Sequence, residues 1–298
     1  MTAAKIWNFL KSPFSKSFII AYIFSFFSLW AVPLISKAVS CFLDHLDEFE
    51  NLSQEETSKF LFELLKNNLN AVDMTTAIVG ILLSALLLGT YNFLLTHKTV
   101  AEEKDIYDVS CLSLNLSEIL GAIPKYIGYS LVFLLGMLLP FLGTVALVLI
   151  SLFFPKVVTV LVGFLSFFLF FFLLYKAICY LYTASLIFYK DFQLSAFFNK
   201  AEVKQFFVQH KQKIFVSFLL SYVLGQVIYF FYSSVCLSII QEVFVASVVL
   251  HVFDLSAPIV IALGLSLFNF IFTYLMILKA IVFGKIILWI EKTTRPAR

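Results

Sequence analysis

Four polar side chains stand inside long apolar stretches of this sequence: Asn92, Lys176, Gln226 and Asn269. A polar group in hydrocarbon is costly unless partnered, so such residues mark either ligand contacts or bonds between neighbouring helices. Gln226 and Asn269 fall near the middle of their stretches, where an amide can bond across to another helix for about 0.6 to 2 kcal/mol. Asn92 and Lys176 lie nearer one end, and Lys176, like Lys279, has a stem long enough to snorkel its ammonium to an interface. Tyr175, Tyr180, Tyr182 and Tyr189 surround Lys176 and read as an aromatic belt at that interface. Together Asn92, Lys176, Gln226 and Asn269 form a candidate intramembrane polar lining. A second candidate set is basic. Lys5, Lys11, Lys16, Lys125, Lys204, Lys211 and Lys213 recur beside apolar stretches, where an ammonium suits an anionic headgroup.

Other chemistry finds little to stand on. His45, His97, His210 and His251 are scattered, and HExxH, GxSxG, a P-loop and paired carboxylates within an apolar stretch are all missing. No catalytic residues and no enzyme activity are expected. Without a midplane Asp or Glu, a proton- or sodium-coupled relay has no carriers. Cys41, Cys111, Cys179 and Cys236 show neither CxxC nor Cys/His ligand spacing, so no metal, cofactor or disulfide framework is expected. The acidic run from Asp44 to Glu50 reads as a solvated face. A net charge of +3 implies no nucleic-acid partner.

The elements that carry these residues follow from composition. Of 298 residues, 61% are hydrophobic and 13% charged, and 37 are Phe; the mean hydropathy is +0.99. Soluble domains carry about 25% charged residues, so this chain belongs in a membrane. A crossing needs about 20 apolar residues, and six stretches qualify: Ser17 to Ser36, Thr75 to Thr96, Ile127 to Phe154, Val157 to Leu181, Ile214 to Leu237 and Pro258 to Leu278. The first is too long for a cleaved signal, and no A-x-A site follows it, so it is expected to remain as a span. Pro155-Lys156 predicts a tight turn between spans three and four. Pro140 should kink span three; the alternative is that Ile127 to Phe154 folds as a re-entrant pair. Pro33 could break a helix as in transporters, whereas Pro258 suits a first helical turn.

Charge predicts orientation. Lys37 to Asp73 holds eight acids against three Lys. Glu242 and Asp254 lie between spans five and six, with no Lys or Arg. Lys5, Lys11, Lys16, Lys190, Lys200, Lys204, Lys211, Lys213, Lys285, Lys292, Arg295 and Arg298 mark the other side. The positive-inside rule then puts both termini in the cytoplasm. The extracytoplasmic loop, residues 37–74, contains Ser53-Gln-Glu-Glu56 followed by Phe60, Leu61, Leu64 and Leu65. That spacing predicts a capped amphipathic helix over 53–69 lying against the outer membrane face.

An "elbow then span" unit organises the rest. Asn199 with Glu202 makes a capping box, after which Val203, Phe206, Phe207 and Ile214 recur on one face opposite Lys200, Lys204, Gln205, Lys211 and Lys213. Asn115 with Glu118 repeats the box ahead of Ile119, Ala122 and Ile123. Thr2 leads Ile6, Phe9 and Leu10 in the same spacing, with Lys5 in the place of the Glu. The predicted fold is therefore an all-α integral membrane protein forming a single membrane domain over 1–298. It has six transmembrane helices as three hairpins, each preceded by a short cytoplasmic-side amphipathic helix, as an internal repeat.

The segments FLKSPFSKSF, LLLGTYNFLL and FQLSAFFNKAEVKQFFVQHKQKIFVSFLLSYVLG resemble an uncharacterised prokaryotic family of polytopic membrane proteins. More distantly they resemble the membrane domain of glycerophosphodiester phosphodiesterases. The resemblance covers about residues 5–240. It implies a multi-pass protein of the prokaryotic cytoplasmic membrane and brings no catalytic or cofactor-binding residues. The leading expectation is a non-catalytic protein that translocates or organises lipid or another amphipathic molecule at the cytoplasmic leaflet. A membrane assembly factor or subunit binding a protein partner, or a homo-oligomer, is the alternative. A solute permease is third.

Overall fold

In the computed structural model the described residues are 10, 13, 18–45, 56, 59, 60, 63, 66, 70–101, 114–153, 156–252 and 257–292. Among them every regular element is helical: α1 (Ile19–Ser25), a 3₁₀ stretch (Phe26–Ala31), α2 (Val32–Asp44), α3 (Ala71–Ala101), α4 (Leu116–Ser151), α5 (Lys156–Asp191), a 3₁₀ turn (Leu194–Phe197), α6 (Lys200–Val252) and α7 (Ala257–Lys292). Six helical segments are long and apolar enough to cross a membrane: Ile19–Cys41, Ala71–Ala101, Leu116–Ser151, Val158–Asp191, Lys200–Phe231 and Pro258–Ile290. Each overlaps one of the six stretches expected from hydropathy. Of the elbow led by Thr2 only Leu10 is described, and Lys5, Lys11, Lys16 and Pro155 lie outside the described residues. Of the helix expected over 53–69, only Glu56, Lys59, Phe60, Glu63 and Lys66 are described, each helical.

The chain divides into two compact units. The first comprises Met1–Asn92, Tyr107–Ile119 and Leu224–Ala280. Its first span is not one α-helix. Pro33, in the opening turn of α2, has no N–H to give Leu29 four residues back, and the Leu29 carbonyl instead accepts from Val32. That bond is the tighter i→i−3 pattern of the 3₁₀ stretch. The stretch lies close against α3 at Gly80, where a Cβ would stand 2.5 Å from the Phe27 carbonyl oxygen and 2.6 Å from the Trp30 Cβ. Only glycine admits that approach. Polar bonds tie the same region: the Ser84 hydroxyl donates to the Ser25 carbonyl at 3.3 Å, and Tyr22 stacks on Phe270 with centroids 5.0 Å apart.

The ends of the outer loop differ from expectation. Helix α2 continues to Asp44 and α3 already begins at Ala71, so Lys37 is a helical residue rather than a loop residue. Its ammonium pairs with Asp73 in the first turn of α3. The helical spacing of Leu34, Ala38 and Cys41 carries α2 onward, with Cys41 buried.

The second unit comprises Phe93–Ile106, Leu120–Val223 and Ile281–Arg298. Its core gathers Phe93 and Val100 of α3, Leu181 to Tyr189 of α5, and Ile287, Leu288 and Ile290 of α7. Val203 and Ile214 of α6 join them. Helix α7 meets α3 at Gly284, where a Cβ would lie 2.7 Å from the Thr99 Cβ. The outer parts of α4 and α5 bury little by contrast, with large apolar side chains such as Leu139, Val160 and Phe164 exposed. That is the pattern of helices whose solvent is lipid.

Helix α4 runs through both Pro124 and Pro140 without a break, so Ile127 to Phe154 is not a re-entrant pair over its described length. The Thr144 hydroxyl donates to the Pro140 carbonyl at 2.9 Å and to the Phe141 carbonyl at 2.9 Å, one turn beyond the proline. At the far end Thr159 donates to the Ser151 carbonyl at 2.8 Å and closes the α4–α5 turn.

Candidate functional site

Each described capping pair makes one backbone bond of the box, and not the same one. The Glu202 amide donates to the Asn199 side-chain oxygen at 3.3 Å, while the Asn199 amide donates back to the Glu202 carboxylate at 2.8 Å. At the second box the Asn115 backbone N–H donates to Glu118 at 2.9 Å. Two of these bonds, from the Glu202 and Asn115 backbone N–H groups, satisfy donors at a helix start; the Asn199–Glu202 bond at 2.8 Å joins the two side chains. The two elbows then diverge. The one at Asn115 passes straight into its span as a single helix. The one at Asn199 bends at His210, whose φ of −123° and ψ of 15° are not helical. His210 is buried, and its ring meets Phe206 edge-on at 4.6 Å.

The bend brings the elbow against α5. Helix α5 contributes Phe171, Leu174, Tyr175, Ile178 and Tyr182, a stripe at helical spacing. Facing them, α6 contributes Phe207, Ile214, Phe215 and Phe218. The two stripes enclose a groove of about 530 Å³. Its wall is largely apolar; the polar groups on it are Lys211 and Gln212, both exposed, the half-buried thiol of Cys179, and the hydroxyls of Tyr175 and Tyr182. The Tyr182 hydroxyl is held by the serine hydroxyls of Ser217 at 3.1 Å and Ser221 at 3.3 Å. The groove offers a hydrocarbon chain a matching wall and one positive charge.

A second constellation closes α5. Phe192 takes a left-handed φ of 53°, and its N–H donates to the Phe188 carbonyl at 2.6 Å. A helix commonly ends this way with glycine; a bulky residue there is strained by about 1 to 2 kcal/mol. Packing holds it. The ring lies between the His97 imidazole, stacked at 4.1 Å, and the Lys125 ammonium, 4.3 Å from its centroid. Phe93 meets the same ring at 5.3 Å. The His97 Nδ1 lies 2.8 Å from the Tyr189 carbonyl, and since a carbonyl can only accept, Nδ1 carries the proton.

The other candidates are dispersed. Asn269 is buried and its amide donates to the Ser28 hydroxyl at 2.6 Å. Asn92 is buried and donates to the Leu88 carbonyl of its own helix at 2.8 Å. Gln226 is exposed, as are Lys125, Lys204 and Lys279, while Lys213 is half-buried. Lys176 is exposed with its ammonium 5.5 Å from the Phe172 ring centroid. The expected tyrosine belt does not form as a belt. Tyr175 is exposed, but Tyr189 is buried, Tyr182 bonds the two serines, and Tyr180 donates to the Phe197 carbonyl at 2.8 Å. These hydroxyls face protein partners because α5 continues past Leu181 as a packed core helix. Sequence reasoning passed over Cys179, Gln212 and the Tyr182–serine contact. The stripe from Phe171 to Tyr182 was the signal that could have found the groove.

Among the described residues no three His, Cys, Asp or Glu side chains gather as a metal site. No protein-family model matches the chain, and no curated protein or solved structure matches it. The chain is a polytopic membrane protein whose described residues form only helical elements, with six candidate spans among them.

Proposed function

We propose that this protein is non-catalytic and that it organises or translocates lipid, or another amphipathic molecule, on the side of the membrane bearing its lysines. The supporting observation is the groove between α5 and α6, lined mainly by apolar side chains with Lys211 and Gln212 among them. Charge asymmetry supports assigning that side, with both termini, to the cytoplasm. Helix starts at Asn115 and Asn199, each bonded to a Glu three residues on, support reading the elbows as a repeated unit that places lysines at the headgroup level. Magnitudes assign the roles. A chain entering from the bilayer exchanges hydrocarbon for hydrocarbon and gains little from the wall, so discrimination rests on the head, about 1 kcal/mol per lysine near the surface.

The test is transbilayer movement of fluorescent lipid in proteoliposomes, together with lipid retained on purification. Movement above empty vesicles, or retained lipid, supports the reading. Neither movement nor retention overturns it. A second reading, a subunit that docks a protein partner, is favoured by the exposed phenylalanines of α5, among them Phe164, Phe167 and Phe168. A stoichiometric partner co-purifying from native membranes selects it.

A further inference from the structure

We infer that the groove between α5 and α6 holds one acyl chain of an anionic membrane phospholipid, with the acidic head at Lys211 and Gln212. This inference rests on the lipid-handling reading above and names the ligand class and its site. The shape argument is the pairing of two helical stripes, Phe171–Tyr175–Ile178 against Phe207–Ile214–Phe215. The groove's volume of about 530 Å³ suits an elongated hydrocarbon chain, whereas a polar solute would need more polar groups converging on it. The Tyr182 hydroxyl asks nothing of the occupant, because it already meets Ser217 and Ser221.

Charge selects the head. Lys211 is the one charged residue of the lining, and no acid accompanies it. On the same elbow Lys204 is exposed and Lys213 half-buried, and the elbow's acid, Glu202, is engaged by Asn199. A zwitterionic head would bring its own cation to this edge; a net anionic head would not. Gln212 adds amide N–H donors suited to a phosphate oxygen.

The experiment is native mass spectrometry of the full chain in micelles containing equimolar phosphatidylglycerol and phosphatidylcholine. Three variants accompany it: Lys211→Gln, Lys211→Glu and Cys179→Trp, the last placing a large ring into the groove wall. The expected result is one retained phosphatidylglycerol, preferred about fivefold, the factor set by one surface lysine. Lys211→Gln should remove that preference and Lys211→Glu should reverse it, while Cys179→Trp should lose the bound lipid of either kind. Because Lys211 is exposed, its variants test the site without disturbing the core. Retained preference in both Lys211 variants, or a lipid still bound in Cys179→Trp, overturns the assignment. If the variants behave so while lipid movement persists in vesicles, the site falls and the lipid-handling function stands. No lipid bound and no lipid moved removes both.

Discussion

The imidazole of His97 lies flat on the ring of Phe192, with centroids 4.1 Å apart and planes 13° from parallel. That contact joins the end of α3 to a residue in a conformation phenylalanine seldom adopts, at φ 53°. Replacing Phe192 by Ala removes the ring and keeps the strain. The expected loss is roughly 2 to 3 kcal/mol, below the usual Phe→Ala range because the ring is only half-buried. Phe192→Gly relieves the strain and should lose less. Thermal unfolding in detergent ranks the two, and equal losses would mean the left-handed conformation carries no strain.

Buried Asn269 and half-buried Ser28 form a hydrogen-bonded pair at 2.6 Å. A double-mutant cycle with Asn269→Leu and Ser28→Ala should return a coupling of about 0.6 to 2 kcal/mol. Additive losses in the cycle would remove the bond from the account of the fold.

Gly80 faces backbone, which cannot step aside as a flexible side chain can. Gly80→Ala is expected to lower stability by about 1 to 3 kcal/mol despite the better helix propensity of alanine. Gly143, where nothing lies within 4 Å of an added Cβ, is the control. Gly143→Ala should be neutral or stabilising, and the comparison of melting temperatures reads both.

The Asn199 cap is exposed and local. Asn199→Ala should cost about 1 kcal/mol, while Asn199→Ser should restore most of it. Hydrogen exchange at the N–H groups of Glu202 and Val203 reports the change where a global melt is insensitive. Unchanged protection in Asn199→Ala would show that packing of Val203 alone holds the elbow.

Orientation has its own measurement. Single cysteines placed within 44–70 should react with a membrane-impermeant reagent from outside, and those within 205–212 only after the membrane is opened. The reverse pattern would invert the topology while leaving every helix in place.

What the sequence by itself determined is local or averaged over a long window. Hydropathy located six spans because about 20 apolar residues are needed for each. Asn199 with Glu202 and Asn115 with Glu118 announced their helix starts because a capping box is closed within four residues. Pro33 also carried its signal locally, since its missing N–H converts the bond to Leu29 into the 3₁₀ form. Tertiary structure decided which neighbour each side chain meets. Tyr182 could have faced lipid; it faces Ser217, 35 residues away, and no local pattern records that choice. Tyr175 lies on a legible stripe, but the spacing predicts Lys211 opposite Phe207 and Ile214, and only the structure puts it beside them on the groove wall next to the bend at His210. Periodicity tells which residues of a helix share a face. Packing against another helix decides what that face meets.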